Sequence, residues 1–464
     1  MFERARSWAG TPVGRALLII FLLALGVRVL TVAVFPPDPR DGRFDDSVWF
    51  DSAARHLAAG DGYVFDPKVW HGPDGQPLFP GETKLSPTAL WPPGYPLALA
   101  TVYRWTGNSQ TAGRLFNALC GAATAVLVYA IARKLFGEAE GVAAGGLMAL
   151  FPASIYFTPL IMSETMFLFV LSATLAVFLY FVLDREEPQL EAIAASGVLA
   201  GLTAMIHFEF IAFPVVMLVL LGGHLGARRA AMPAAVLVAG AALLFVPWTI
   251  RNRVTLGETL VSTTEVGRLA VQGHDPRSNG TPNAEILASV DRRFALLSRT
   301  DRELKVNSEG LYMARTYAWN NKASELRLFP RRIFALFRSD ESPIAWTQSN
   351  HPVYGEEIAK RLTVLCSLSF FATIALALVA WPFWFRWRDT RRWLLFAPVP
   401  YLAFVYGVLL AGDPGYHVGM YPSLIVLASP ALALLWRITG DNFRAAFDGR
   451  SAGDVLRPRF GSRR

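Results

Sequence analysis

Six acidic residues of this 464-residue chain stand at the edges of strongly apolar segments. They are Asp45, Asp46, Asp51, Glu164, Glu209 and Asp413. An ionised carboxylate beside hydrocarbon is costly, so such residues at membrane segments usually serve a function. A carboxylate can take the proton from an attacking hydroxyl group, which is general base catalysis. If the six residues share one surface, the pattern predicts chemistry at that surface of a membrane.

Asp46 begins the sequence DSVWFDSAARHLAA, in which apolar and polar residues alternate with helical spacing. The spacing predicts a helix over Asp46–Ala59 that lies in the membrane interface with its apolar face towards lipid. An acid at the start of a helix often does no more than cap backbone N–H groups. A cap explains one aspartate, whereas Asp45 stands beside Asp46. We therefore select Asp46 as a functional residue.

Glu164 lies in the segment MSETMF, at the start of an apolar run. Ser163 is a suitable N-cap, and the helix dipole stabilises a carboxylate in the first turn. A dipole partner is therefore the structural alternative for Glu164. Because the residue lies at membrane depth beside Pro159, a purely structural acid there would be costly. The sequence favours a functional role.

Basic and imidazole side chains occur near the same segment ends. Arg251, in PWTIRN, either reaches towards the membrane interface or pairs bidentately with a phosphate, and the sequence leaves these two roles level. His207, close to Glu209, and His417 either hydrogen-bond within the protein or join the carboxylates in binding a metal. The hydrogen-bonding role ranks first for both histidines.

Composition assigns the chain to the integral membrane proteins. Hydrophobic residues make up 53% and charged residues 17%, and the mean hydropathy is +0.35. A soluble domain of this length does not bury so much apolar surface. Apolar runs of bilayer-crossing length predict an all-α polytopic protein with about ten transmembrane helices. The expected spans are 15–35, 111–133, 141–159, 163–183, two short spans within 191–222, 231–250, 361–385, 393–411 and 416–437.

Short basic loops orient these spans, because Lys and Arg in short loops stay in the cytoplasm. With both termini in the cytoplasm of a plasma-membrane protein, every short basic cluster falls on the cytoplasmic side. The acidic residues then share the extracytoplasmic face. The net charge of +8 is mostly this topology signal. The basic tail is expected to lie against anionic lipid, and no nucleic-acid partner is expected.

Two long segments remain outside the membrane, at 36–110 and 251–360. We predict a transmembrane catalytic module over 1–250 that includes the first outer loop 36–110. A large extracytoplasmic loop region 251–360, transmembrane helices 361–437 and a basic cytoplasmic tail 438–464 follow. The corner LWPPGYP in the first loop is rigid because its prolines restrict the backbone. The sequence has no glycine-rich phosphate loop, so no nucleotide cofactor is expected.

Six segments in a fixed order resemble the bacterial family 39 glycosyltransferases. These are relatives of the protein O-mannosyltransferases and the lipid A aminoarabinose transferases. The segments are DSVWFDSAARHLAAGDGY, WPPGYPLALA, PLIMSETMF, VPWTIRN, QGHDPRSNGT and GDPGYHVGMYPSLIVLA. The resemblance covers residues 15–437 and rests on order and spacing together. It implies the GT-C membrane fold, with interfacial helices in the first outer loop.

The resemblance also implies a reaction. A polyprenyl-phosphate sugar would be the donor, and a lipid, a cell-envelope glycan or a protein the acceptor, with inversion at the anomeric carbon. Asp46 matches the base of the family's first loop. Glu164 matches the family's second acid, which positions the acceptor or binds a metal. Arg251 and Lys84 would contact the donor phosphate.

Supporting roles fall to five further residues, namely Asp45, Tyr95, His207, Glu209 and His417. A divalent metal held by Asp46 and Glu164 stays an open alternative. Many relatives carry a Thr-Arg-Pro-like step at the end of the fifth span. This chain has Ile206, His207 and Phe208 there. A basic phosphate contact at this place is therefore replaced or lost.

Two other functions fit the composition. A lipid or solute transporter or flippase would place polar residues near the bilayer midplane on broken helices, and it often has repeated halves. The acids here fall at helix ends, and the sequence shows no repeat. A scaffold without catalysis would keep its function after Asp46→Asn. The sequence leaves open the sugar, the acceptor, the metal dependence and the oligomeric state.

Overall fold

The structure, a computed structural model, describes residues 11–35, 46–71, 76, 82–350, 354–385 and 389–447. Asp45, one of the expected supporting residues, lies outside the described residues. The described chain is mainly helical and carries a two-stranded antiparallel sheet in the first long loop. Strand β1, Val64–Phe65, pairs with strand β2, Ser86–Pro87.

Helices α1 to α10 precede the second long loop. They are α1 Pro12–Val34, α2 Asp46–Ala59, α3 Gly94–Thr106, α4 Gln110–Phe136, α5 Glu138–Leu150, α6 Pro152–Phe157, α7 Glu164–Phe178, α8 Leu190–Ile206, α9 Phe213–Leu225 and α10 Ala227–Leu256. A π-helical turn, Leu179–Leu183, continues α7. A 3₁₀ turn, Phe208–Ala212, joins α8 to α9.

Helices α11 to α20 complete the described chain. They are α11 Glu265–Gly273, α12 Ala284–Asp291, α13 Arg299–Asn320, α14 Lys322–Phe337, α15 Ser342–Asn350, α16 Glu356–Val379, α17 Trp381–Trp384, α18 Thr390–Phe396, α19 Pro398–Phe404 and α20 Tyr421–Phe447. A π-helical turn, Val405–Leu409, continues α19. A 3₁₀ helix, Pro414–Met420, leads into α20.

Membrane spans are fewer than the ten expected. Among the described residues, seven helices are long and apolar enough to cross a bilayer. An eighth span arises if α18 is counted together with the α19 segment, Pro398–Leu409, which is bent by 44° relative to α18. The expected span 141–159 is divided into α5 and α6, because Pro152 starts a new helix and disfavours α-helical backbone at Phe151. Helix α8 is apolar but only 17 residues long. A multi-pass helical membrane protein is nevertheless confirmed.

Helix α2 has the predicted bounds but not the predicted surroundings. Trp49, expected to face lipid, is only 1% exposed and packs inside the protein. On the polar face Asp51 is buried as well, since it pairs with Arg55 at 2.7 Å and accepts from the Tyr103 hydroxyl of α3 at 2.6 Å. Arg55 and His56 are partly exposed. The expectation that the apolar face of α2 contacts lipid is therefore wrong, because this face packs inside the protein.

Helices α8 and α10 approach each other closely at glycines. A Cβ atom on Gly197 would lie 2.2 Å from the Leu237 carbonyl oxygen, and one on Gly201 would lie 2.6 Å from that of Ala241. From the other side, a Cβ on Gly240 would lie 2.6 Å from the Ala194 carbonyl oxygen. Small residues spaced four apart allow such backbone contact between membrane helices. The close packing fixes the end of α8, where His207 follows.

Basic residues near several helix ends pair with acidic residues on one side of the bundle. Lys134 at the end of α4 and Arg391 of α18 both pair with Asp184, at 2.5 and 3.2 Å. Arg437 of α20 pairs with Glu140 of α5 at 3.1 Å. The end of α4, the end of the α7 segment and the distal part of α20 therefore share one side of the bundle. The starts of α7 and α20 lie at the opposite side.

A buried arginine joins the second long loop to the membrane helices. Arg332 of α14 is 1% exposed and donates to the carbonyl oxygens of Gly273 and Gly407, at 2.7 and 3.2 Å. It also pairs with Glu325 at 2.9 Å. A buried guanidinium is tolerated only with such partners. The contact fixes the π-helical turn after α19 against the end of α11.

Gly201→Val tests the close helix contact. Because the opposing atoms are backbone atoms that cannot move aside, we expect the substitution to cost about 1–3 kcal/mol of stability. The melting temperature of the purified protein in detergent should fall by several degrees. Gly222→Val on α9, where a Cβ meets no atom within 4 Å, is the matched control. An equal loss in both variants would contradict the close contact.

Candidate functional site

One cavity of about 340 Å³ collects polar side chains from five separate segments of the chain. We call it the acid cavity. Asp46, Glu164, His207, Glu209 and Asp413, all singled out in the sequence, line this cavity together with Ser163. Aromatic side chains of Phe50, Trp91, Trp346, Tyr406 and Tyr416 complete much of the wall. Five of the residues selected from distant parts of the sequence thus share one space.

Asp46 enters the acid cavity from the first turn of α2. A helix start favours a carboxylate there, because the dipole and the free N–H groups stabilise negative charge. The next turn of α2 presents Phe50, which lies near Trp91 with ring centroids 6.5 Å apart. Trp91 and Pro92 come from the rigid corner and both line the cavity. The corner therefore forms a wall opposite the carboxylate.

Ser163, His207 and Glu209 form a chain of hydrogen bonds along another wall. The Ser163 hydroxyl lies 3.1 Å from His207 Nε2, and Nδ1 of the same ring lies 2.8 Å from Glu209 Oε1. A carboxylate only accepts, so Nδ1 carries a hydrogen and donates to Glu209. Nε2 then accepts from Ser163, or donates when the ring is an imidazolium. Phe167 stacks on the imidazole at 4.0 Å and fixes its plane.

Ser163 does not cap α7, contrary to the sequence expectation. Its side chain makes no hydrogen bond to the start of that helix, because the hydroxyl is engaged with His207 instead. Glu164 begins α7 as expected and lines the cavity. Its Oε2 is buried and has no hydrogen-bond partner among the described residues. This oxygen is available to an incoming donor group.

The far wall comes from the segment that leads into α20. Asp413 accepts from the Gly415 N–H at 2.9 Å and starts the 3₁₀ helix there. The rings of Tyr406 and Tyr416 stack with centroids 4.4 Å apart. Tyr401 donates to the Glu209 carbonyl oxygen at 2.5 Å and joins this segment to the His207 wall.

The two expected phosphate contacts lie away from the acid cavity. Arg251 donates to the carbonyl oxygens of Tyr63 and Thr88, at 2.6 and 2.7 Å, and thereby joins α10 to the β1–β2 hairpin. Its guanidinium also lies over the Trp248 ring. Lys84 is an exposed residue of the first loop and does not line the cavity. Neither residue is therefore placed to contact a phosphate bound in this cavity.

Two more expected supporting residues are directed elsewhere. His417 is fully buried, with Nδ1 at 2.7 Å from the Leu336 carbonyl oxygen and Nε2 at 3.3 Å from Asp340 Oδ1. Because both partners are acceptors, this ring acts as a donor inside the protein. Tyr95 is 1% exposed and exchanges hydrogen bonds with Asn117 at 3.2 to 3.4 Å. Neither residue lines the acid cavity.

Two open apolar grooves, which no sequence pattern indicated, lie beside the site. The first, of about 820 Å³, runs between α3, α8 and α10 and has Arg251 at its edge. The second, of about 730 Å³, runs between α13 and the α19 segment. Phe208 and Glu209 line both the second groove and the acid cavity. The second groove and the acid cavity are therefore adjacent at these two residues.

Glu265 of α11 was not selected from the sequence. It is 6% exposed, and its nearest basic partner is Arg268 at 3.1 Å. Burial raises the pKa of Glu265 to about 7, although Arg268 opposes this effect. One turn further along the helix, Leu269 lines the acid cavity. A carboxyl group that titrates near neutral pH thus borders the site.

Comparison with known proteins identifies the architecture. Residues 91–250 match the family described as dolichyl-phosphate-mannose-protein mannosyltransferase. The whole chain resembles the archaeal oligosaccharyltransferase AglB from Archaeoglobus fulgidus, in complex with an inhibitory peptide and a dolichol-phosphate. The TM-score is 0.53 at 14% identity, over 97% of this chain and 52% of that chain. The chain has the GT-C fold. The fold class expected from the sequence is confirmed.

The GT-C chain described here spans about half the length of the oligosaccharyltransferase chains it matches. A second structure of the Archaeoglobus enzyme, in complex with Zn and sulfate, gives a TM-score of 0.50 at 15% identity, over 93% of this chain and 50% of that chain. ArnT from Cupriavidus metallidurans bound to undecaprenyl phosphate overlaps more loosely, with a TM-score of 0.41 at 15% identity over 93% and 80% of the two chains. At these identities the likeness establishes the fold alone. The curated proteins give no match.

The raised pKa of Glu265 predicts a pH-dependent stability. The folded protein keeps a proton on this carboxyl that the unfolded chain has lost, so folding is favoured at low pH. The contribution declines as pH rises from about 4.5 to about 7. We expect the melting temperature to fall over this window in the unmodified protein and to fall less in Glu265→Gln. Glu285→Gln, at an exposed position of α12, is the control. Parallel curves for Glu265→Gln and the unmodified protein would refute the assignment.

Proposed function

We propose that this protein is a membrane glycosyltransferase that moves a sugar, a hexose or a pentose, from a polyprenyl phosphate to a hydroxyl group at the extracytoplasmic face. The acid cavity carries the proposal, because it brings Asp46, Glu164, His207 and Glu209 together from separate segments of the chain. The GT-C fold and the family match of residues 91–250 support it. A lipid-linked donor also fits a chain without a nucleotide-binding loop.

Asp46 is the general base in this proposal. The acceptor hydroxyl attacks the anomeric carbon, the bond from that carbon to the phosphate oxygen breaks, and the phosphate departs with the electron pair. The hydroxyl proton passes to the Asp46 carboxylate. Direct displacement of this kind inverts the anomeric centre. Glu164, whose Oε2 is without a hydrogen-bond partner among the described residues, accepts a hydrogen bond from the acceptor or the sugar.

His207 opposes the charge of the departing phosphate. Among the described residues that line the acid cavity, it is the only side chain able to carry positive charge, and four carboxylates face the same space. The leaving group gains negative charge as the bond breaks, so a cation at this place stabilises the transition state. Glu209 holds the ring through Nδ1 and leaves Nε2 for Ser163 or for the phosphate. His207 thus takes the part that the sequence assigned to Arg251 and Lys84.

The polyprenyl chain lies in the second groove. That groove is lined largely by apolar side chains, such as Leu311, Val405 and Val408, and it meets the acid cavity at Phe208 and Glu209. Its outer rim carries Arg315, Trp319 and Lys322, residue types that favour the membrane–water interface. A lipid tail in this groove places its phosphate near His207.

A divalent cation fits the acid cavity only in part. The described residues contain no group of three or more His, Cys, Asp or Glu side chains arranged to hold an ion. Mg²⁺ is often bound by one or two carboxylates together with substrate phosphate oxygens. Asp46 and Glu164 are the residues that would hold such an ion, and it would neutralise part of the phosphate charge.

Asp46→Asn tests the general base. The purified protein in lipid nanodiscs is supplied with polyprenyl-phosphate sugars, and sugar release and transfer are followed by mass spectrometry. The substitution should lower the turnover by about 10²- to 10⁴-fold, because an amide does not accept the proton. Donor binding and melting temperature should stay unchanged. Asp301→Asn, at an exposed position of α13, should retain full turnover.

Full turnover by Asp46→Asn would contradict the role of this residue. If the unmodified protein turned over no donor but moved it across vesicle membranes, the chain would be a transporter. These two outcomes are separable because the second requires no loss of sugar from the donor.

A pair of substitutions at His207 tests its charge. His207→Gln keeps a hydrogen-bonding side chain but removes the charge, and turnover should fall by roughly 10²-fold or more. His207→Arg restores a cation and should recover most of the turnover, because a guanidinium pairs well with phosphate. The comparison of kcat for the two variants is the measurement. Equal loss in both variants would show that the imidazole acts otherwise than through its charge.

A further inference from the structure

A second cavity, of about 400 Å³, adjoins the acid cavity. We call it the vestibule. Asp46 and Trp91 line both cavities, so the carboxylate of Asp46 lies at their junction. None of the vestibule's described residues belongs to a helix with the length and hydropathy of a membrane span. The vestibule therefore reaches the site from the side of the long loops, whereas the second groove reaches it along apolar helix surfaces.

Half of the fourteen residues that line the vestibule are charged, and these charges nearly balance. Three arginines, Arg268, Arg299 and Arg302, face four carboxylates, Asp46, Glu265, Asp291 and Glu303. Glu265, with its pKa near 7, carries only part of a negative charge at neutral pH. A strongly charged ligand would not be favoured by such a lining. Donors and acceptors nevertheless stand side by side around the space.

Hydrogen bonds or ion pairs hold some of these side chains in place. Glu303 accepts from the Thr88 hydroxyl at 2.6 Å, from the Ala89 N–H at 3.0 Å and from the Thr264 hydroxyl at 2.7 Å. Arg302 pairs only loosely with Asp291, at 3.6 Å. Trp91 is partly exposed between the two cavities. The vestibule thus combines a rigid polar wall with an aromatic face.

We infer that the vestibule binds the acceptor, and that the acceptor is a carbohydrate chain. This inference rests on the proposed function. Each sugar hydroxyl both donates and accepts, which matches alternating arginines and carboxylates. The less polar face of a sugar ring packs on an aromatic side chain such as Trp91. The alkyl chain of a lipid acceptor would lie against seven charged side chains and would desolvate them, which is costly. A peptide is usually bound through its backbone at a strand edge or a groove, whereas the polar groups here are charged side chains.

Transfer of the sugar takes place at the junction of the two cavities. A hydroxyl oxygen of the glycan in the vestibule forms the bond to the anomeric carbon of the donor sugar in the acid cavity. The bond from that carbon to the phosphate oxygen breaks, and polyprenyl phosphate leaves with the electron pair. Asp46, which reaches both cavities, receives the hydroxyl proton.

The experiment separates binding of the acceptor from turnover of the donor. Full-length protein in nanodiscs receives a polyprenyl-phosphate sugar with one of three acceptors, which are neutral mannan oligosaccharides, a Ser/Thr-rich peptide or phospholipid alone. Transfer to the oligosaccharide is the expected result. Arg268→Gln and Arg302→Gln should each raise the KM for the oligosaccharide about tenfold, the loss expected for one hydrogen bond to a charged group. Slow hydrolysis of the donor by water should keep its kcat.

Two further variants serve as a second test of the vestibule and as a control outside it. Leu287→Trp adds bulk inside the vestibule, and it should block transfer to the oligosaccharide without lowering donor hydrolysis. Arg327→Gln, at an exposed position of α14 outside the vestibule, should leave both rates unchanged. Melting temperatures identify any variant that has lost its fold.

The outcomes distinguish the inference from the proposed function. Transfer to the peptide or to phospholipid in place of the oligosaccharide would overturn the carbohydrate class. Oligosaccharide KM values unchanged by all three vestibule substitutions would overturn the location. If the unmodified protein released no sugar from any donor, the proposed function itself would fail.

Discussion

The cost of holding ionised carboxylates next to hydrocarbon is the constraint on which this structure depends. The chain meets it by placing Asp46 and Glu164 at helix starts, where the dipole favours negative charge. Glu209 has His207 as its partner at 2.8 Å, and Asp413 has a backbone N–H at 2.9 Å. The carboxylates are thereby kept together in one small cavity.

Two spaces beside this cavity divide the proposed reaction. The second groove is apolar and meets the cavity at Phe208 and Glu209. The vestibule, in which half of the lining residues are charged, meets it at Asp46 and Trp91. A lipid-linked donor and a water-soluble acceptor would approach from these two sides. Asp46, the base, then lies on the acceptor side of the anomeric carbon. His207, the cation, lies on the side of the departing phosphate.

The sequence predicted the fold class and the bounds of α2, because helical spacing and apolar run length depend on local residues. It did not predict that Trp49 and Asp51 of α2 are both buried, since a partner of Asp51 is Tyr103, 52 residues further along the chain. The break at Pro152 and the short α8 reduced the ten expected spans. Local patterns do not reveal which helices are enclosed by others.

The candidate site could be predicted in part for a similar reason. Acids at apolar segment ends indicated Asp46, Glu164 and Glu209, which the structure brings together. The role of Arg251 depends on backbone carbonyls of a distant hairpin, which no local pattern indicates. No local sequence pattern indicates that His417 is directed towards Asp340, either.

The position of the phosphate in a structure solved with polyprenyl phosphate tests the central claim most directly. The account predicts phosphate oxygens within hydrogen-bonding distance of His207 Nε2, with the lipid chain between α13 and the α19 segment and Asp46 across the cavity. A phosphate bound to the Arg251 guanidinium, with the chain in the first groove, would contradict it.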